Sequence, residues 1–168
     1  MQTFTYSLLF KIIFRFGNIL VTFLILIYLI PVFYYIDQKT ILFLPLIIGV
    51  IIIYMVNRTY LTYYKIIPYR IEADDDKMIC SDFLFSKNDV TIYFKDIDLL
   101  QGGIFSGKSS GIMKVNDSKS KLQVGFSQKI KNSEKLIALI LSKVPKDLYN
   151  EVINNLTERR QRKKTNSK

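Results

Sequence analysis

The sequence predicts a membrane-anchored α+β protein: a two-helix transmembrane hairpin, then an antiparallel β-barrel or sandwich capped by a C-terminal helix. Three observations predict it. Residues 17–36 and 40–56 carry no charged side chain. From residue 67 the pattern becomes short β-like runs bounded by turn residues. From Ser133 it changes again, to apolar residues at helical spacing.

The first span is GNILVTFLILIYLIPVFYYI, residues 17–36. About twenty apolar residues cross ~30 Å of hydrocarbon as a helix. Asp37, Gln38 and Lys39 form the turn, and TILFLPLIIGVIIIYMV, residues 40–56, forms the second span. So short a link makes the two helices antiparallel neighbours. Asn57 and Arg58 are expected to snorkel and extend the second span. The apolar stretch is too long for a signal peptide, and no small-residue cleavage site follows it. Pro31 and Pro45 interrupt the spans, and no ionisable residue lies inside either, which argues against an ion pathway.

Lys11 and Arg15 precede the first span, and Arg58, Lys65 and Arg70 follow the second, so both termini are expected in the cytoplasm. Tyr34 and Tyr35 mark one edge of the hairpin. Tyr54, Tyr60, Tyr63 and Tyr64 mark the other, where amphipathic rings favour the headgroup level. The opening MQTFTYSLLFKIIF places Ser7, Lys11 and Arg15 on one helical face. Residues 1–15 therefore read as an amphipathic flank, lying in the interface or extending the first span inward, and residues 16–58 as the hairpin.

Composition narrows the chemistry. The 168 residues carry a net charge of +10, with no His and one Cys. Nucleophile systems that need a His base are excluded, as are an internal disulfide and a cysteine-based metal site. Cys80 sits among apolar strand residues and reads as a small buried thiol. Asp74, Asp75 and Asp76 offer oxygens suited to a hard cation, but three adjacent side chains cannot converge, and a solvated turn is the expectation. Residues 102–109, GGIFSGKS, match the phosphate-loop pattern G-x-x-x-x-G-K-[ST]. A strand and turn follow rather than a helix, so the glycines are expected to serve a bulge and a tight turn. No catalytic residue, cofactor site or metal site is assigned. The protein reads as non-enzymatic.

Six runs predict the strands: IPYRIEA, KMICSDFLF, VTIYF, LLQGGIF, GIMKV and KLQVGF. NSEKLIALILSK then gives a helix with Ser133 as N-cap and Leu136, Ile137, Ile140 and Leu141 on one stripe. A second helix over 146–163 places Leu148, Val152 and Leu156 together and ends in a basic run. Residues 145–168 form this basic helix and tail. Arg159, Arg160, Arg162, Lys163 and Lys164 are expected to meet anionic lipid, with ribosomal RNA, an acidic protein face or solvent alone as the alternatives. No aromatic residues interleave with them, so no specific nucleic acid is expected.

The order of elements over residues 66–143, carried by YRIEADDDKMICSDFLFSKNDVTIYFKDIDLLQGGIFSGKSSGIMKV and the closing helix SEKLIALIL, resembles bacterial pleckstrin-homology-like (PH-like) membrane proteins with two N-terminal transmembrane helices. The resemblance implies a PH-like domain at the cytoplasmic face of the bacterial inner membrane. An anchor plus a compact β-domain, with no credible catalytic constellation, leads to the expectation of a non-enzymatic adaptor, an accessory or assembly subunit of a larger transport or secretion complex. Membrane lipids and other integral membrane proteins are the expected partners, and no small-molecule substrate is expected. A module sensing anionic lipid is the alternative. The acidic Asp74–Asp76 loop departs from the basic first hairpin of phosphoinositide-binding relatives. Lys11, Arg15, Arg58 and the tail residues are the candidate membrane or partner contacts.

Overall fold

The computed structural model describes residues 1–35, 40–86 and 88–165. The expected hairpin turn at Asp37–Lys39 lies outside the described residues, as do the side chains of Arg160, Arg162, Lys163 and Lys164. The chain divides into two units. One is residues 8–64; the other joins residues 1–7 to residues 65–168.

The hairpin unit contains helix α1, Leu8–Tyr35, and most of helix α2, Phe43–Ile66. A short 3-10 turn, Thr40–Leu42, leads into α2. Helix α1 runs through Pro31 without a break. Pro45 falls in the first turn of α2, where its missing N–H has no intrahelical partner to lose. Both helices are apolar on nearly every side and only 6% of each apolar window is buried. They are long and apolar enough to cross a membrane.

The sheet module begins earlier than expected. Residues 2–5 do not continue a helix toward the first span; Gln2–Thr5 form strand β1. It pairs antiparallel with β2, Arg70–Ala73, in the register Phe4 to Ile71 and Thr5 to Arg70. The reason lies in side-chain alternation. Phe4 and Tyr6 point to the core and are 2% and 4% exposed, while Thr3 stays outside. A helix there would have withdrawn both rings. Residues 8–15 form the first turns of α1, continuous with the first apolar span.

Strands β3, Lys77–Ser81, and β4, Val90–Tyr93, complete an antiparallel sheet in the order β1-β2-β3-β4. Strands β5, Leu99–Gln101, β6, Ile112–Asp117, and β7, Leu122–Ser127, form a second sheet in the order β5-β6-β7. The two sheets are separate and do not close into a barrel, which corrects that part of the expected fold. The 3-10 turn Phe94–Asp96 carries the chain from one sheet to the other. Period-two alternation puts Ile71, Met78, Cys80 and Ile92 inside from the first sheet, and Met113, Val115, Val124 and Phe126 from the second.

Helix α3, Ser133–Lys143, adds Leu136, Ile137 and Ile140 to this core. Ser133 is its first helical residue and not its cap. Asn132 holds the cap position at φ 58°, a conformation Asn tolerates better than most residues. Helix α4, Lys146–Thr165, is part of the module, packed against the 3-10 turn Gly103–Ser106. Val152 is 1% exposed, and the Asn155 side-chain amide donates to the Phe105 carbonyl at 3.1 Å.

Candidate membrane and partner interface

The hairpin carries polar groups at one end of its helix pair. Asn18 Nδ2 donates to Asn57 Oδ1 at 2.9 Å. Asn57 Nδ2 in turn donates to Thr22 Oγ1 and to the Ile53 carbonyl, each at 2.9 Å. The Tyr64 hydroxyl lies 2.6 Å from Asn18 Oδ1 and 2.7 Å from the Arg15 carbonyl. Asn57 therefore turns inward as an interhelical clasp instead of snorkelling outward. In lipid, buried amides and hydroxyls find partners on the neighbouring helix, because no water is at hand. Small residues bring the helices close: a Cβ on Gly17 would lie 2.6 Å from the Tyr60 hydroxyl, and one on Gly49 would lie 2.9 Å from Leu29 Cδ1.

The aromatic edges divide. Tyr34, Tyr35 and Tyr54 are exposed, Tyr60 and Tyr63 are half-buried, and Tyr64 is buried by the clasp. Phe14 packs near Tyr60 and Tyr63, with ring centroids 6.4 and 6.3 Å away. Arg58 is exposed, with its guanidinium 5.9 Å above the Tyr54 ring. Lys11 and Arg15 are half-buried on α1. Arg15 and Arg58 thus flank the same polar end of the hairpin, while Arg159 lies on α4 of the sheet module.

GGIFSGKS forms a compact turn in which four of the amides are already used. Gly102 N–H donates to Ser106 Oγ at 2.7 Å. The N–H groups of Ser106, Gly107 and Lys108 donate to the carbonyls of Gly102, Ile104 and Gly103. A phosphate cradle needs those donors pointing at the ligand. Here they close the turn that supports α4. Gly107 sits at φ +65° with the Asn155 carbonyl 2.5 Å from where a Cβ would be, so a side chain is excluded both by conformation and by space.

The acidic loop is likewise engaged. Asp74 Oδ1 accepts from the N–H groups of Asp76 and Lys77 at 3.0 and 2.9 Å. Those bonds hold its carboxyl below the ordinary range. Asp75 instead meets Lys143 Nζ at 2.9 Å. The carboxylates diverge, as a turn requires. Asp117, in the turn-forming run Asn-Asp-Ser-Lys-Ser at 116–120, does the same work at the β6–β7 turn. It accepts from Ser120 and Lys119 N–H, and chiefly the Ser120 bond lowers its pKa. Its signal was the Asn-Asp-Ser-Lys-Ser run. Cys80 is fully buried, and loss of water pushes its thiol up to about 12. A neutral thiol is no nucleophile at neutral pH.

Comparison with protein-family models, with curated proteins and with solved structures gave no match to the chain.

Proposed function

We propose that the chain is a non-enzymatic membrane adaptor: a hairpin that spans the bacterial inner membrane and holds a PH-like module against its cytoplasmic face. The module is offered to a larger membrane complex, of the transport or secretion kind, as an accessory or assembly part. One observation carries the reading. Two helices apolar on nearly every side, with 6% of each apolar window buried, are inserted between paired strands β1 and β2 of a single sheet module. Water would not tolerate that much apolar helix surface, and lipid or partner helices would.

The insertion also supports the topology. Because β1 and β2 pair, both ends of the hairpin return to one module, which two crossings satisfy. The bias of Lys11, Arg15, Arg58 and Lys65 toward those ends favours the cytoplasm for it. Antiparallel strands closed by α3 support the PH-like reading. Separate sheets and a strand ahead of the hairpin are where this chain departs from the resemblance.

Purification of the full chain in mild detergent, followed by mass spectrometry of what accompanies it, tests the adaptor role. A reproducible set of integral membrane proteins is expected. Recovery of this chain alone at several expression levels would overturn the role while leaving the anchor intact.

A further inference from the structure

The register of the first sheet sorts its turns to two ends. Thr5 pairs with Arg70 and Arg70 with Ser81, so the β3–β4 loop, residues 82–89, leaves from the same end as both hairpin links. The turn after β7 is there too. Lys131 N–H donates to the Thr5 carbonyl at 2.9 Å, and Ser127 N–H to the Tyr6 hydroxyl at 2.8 Å. Ser127 pairs with Ile112, which brings in the 3-10 turn before β6 and, through Gly107, the Arg159 turn of α4. The Asp74–Asp76 turn lies at the opposite end, with Lys143 and Tyr93.

Both ends carry charges of both signs. The link end carries exposed Lys108, Lys129 and Lys131 and half-buried Arg159, from three separate segments, against Asp82 and Asp89 of the β3–β4 loop, Glu134 of α3 and Glu158 beside Arg159. It also carries Phe85, 64% exposed. The opposite end carries Asp74, Asp75 and Asp76 beside Lys77, Lys95 and Lys143, and the β6–β7 turn adds Lys119 and Lys121 there. The links are short: only residues 6–7 separate β1 from α1, and only residues 67–69 separate α2 from β2. At ~3.5 Å per residue two and three linking residues reach only about 7 and 10 Å. Nor are the links slack, since Tyr6 and Tyr69 are buried with their rings edge to face at 6.1 Å. The first residues of α1, Leu8 and Leu9, are exposed and apolar right up to the link.

We propose that this end of the sheet module rests on the bilayer that holds the hairpin, with Phe85 in the boundary between headgroups and acyl chains and with Lys108, Lys129, Lys131 and Arg159 over anionic headgroups. This deepens the function proposed above and rests on the hairpin being in the membrane. Aromatic rings favour that depth, and basic side chains beside it gain from negative lipid. The contact holds the module's orientation, so that the Asp74–Asp76 end faces the cytoplasm.

The chain contains no Trp, so one substitution at a time gives a single reporter. The full chain is reconstituted in phosphatidylcholine–phosphatidylglycerol vesicles whose acyl chains carry bromine, a contact quencher. Leu26→Trp reports the hairpin, Phe85→Trp the link end and Tyr93→Trp the far end. Leu26→Trp and Phe85→Trp are expected to lose emission and Tyr93→Trp to keep it. Ser86→Trp, on the same exposed loop, repeats the reading if Phe85→Trp folds poorly. Quenching at Leu26 without quenching at either loop position overturns the apposed end alone. Absence of quenching at Leu26 overturns the membrane reading itself. Quenching at Tyr93 as well means the module lies on its side, which also overturns the proposal. Reversing Lys129 and Lys131 to Glu in the Phe85→Trp chain is expected to weaken the loss of emission. An unchanged loss removes the lysines from the contact.

Discussion

The Tyr6 hydroxyl accepts a hydrogen bond from the Ser127 backbone N–H at 2.8 Å, joining residues 121 positions apart in the sequence. Tyr6 follows the first strand and Ser127 ends the last. The bond is shielded from water, which pushes the phenol well above its ordinary pKa. Tyr6→Phe would strand a part-buried N–H and should cost about 1–3 kcal/mol. Phe4→Ala, which empties a core site in the same segment, should cost about 3–5 kcal/mol. Denaturant titration of the purified chain, followed by proteolysis of the sheet module, checks both. Unchanged midpoints would show that residues 1–7 are not part of the module.

The hairpin clasp should be felt in the membrane. Asn57→Leu removes three contacts, to Asn18, Thr22 and the Ile53 carbonyl. Interhelical hydrogen bonds in bilayers average about 0.6 kcal/mol and reach about 1.7 kcal/mol. A loss of about 1–2 kcal/mol is therefore expected in SDS-induced unfolding. Arg58→Leu, on an exposed side chain, should change it by much less. Equal effects would mean that Asn57 acts only through its polarity.

Gly107→Ala should loosen α4. A residue at φ +65° with a Cβ costs about 1–2 kcal/mol, and the Asn155 carbonyl leaves that Cβ no room. Amide hydrogen exchange should rise along α4 first, with the two sheets still protected. Lys108→Ala should leave exchange unchanged and should not alter retention on immobilised ATP. Loss of a Mg-dependent ATP affinity in that variant would restore the phosphate-loop reading.

Cys80 sets a pH dependence. Its thiol ionises near 9 when solvated and near 12 in the fold. Below the solvated value both states are neutral and the fold keeps the full contribution of this site. As pH rises from about 9 toward 12, the unfolded chain gains a thiolate that the folded chain resists, so stability falls. Cys80→Ala should flatten the alkaline fall in denaturation midpoint. Maleimide should label native Cys80 far more slowly than the denatured chain near neutral pH. Rapid native labelling would contradict burial of the thiol.

The hairpin and the later strands were legible because their signals are long or clearly punctuated. Twenty uncharged residues cannot be mistaken for a loop, and Asp74–Asp76 and Asn116–Ser120 are turn-formers between β-branched and aromatic runs. Strand β1 was missed because four residues carry little periodicity and its partner lies beyond the hairpin. The alternation Thr3-Phe4-Thr5-Tyr6 was its signal, masked by the helical face seen at Ser7, Lys11 and Arg15. Asn57 was misplaced because a lone amide at the end of a span looks like a water-seeking residue. Its partners, Asn18 and Thr22, sit one turn apart on the other helix, and only pairing the two spans reveals them. The role of Arg159 was legible as charge only. Its neighbour Gly107 is 52 residues away in the chain, and no local pattern links them.

Strand β1 is made before the hairpin, and its partner after it. The ribosome therefore delivers the first edge of the sheet roughly seventy residues ahead of Arg70, and on the membrane reading proposed above that edge waits while two helices enter lipid. On that reading bilayer integration precedes assembly of the module, and a chain that misses insertion keeps its first strand tethered to two greasy, unburied helices, a natural substrate for quality-control proteases.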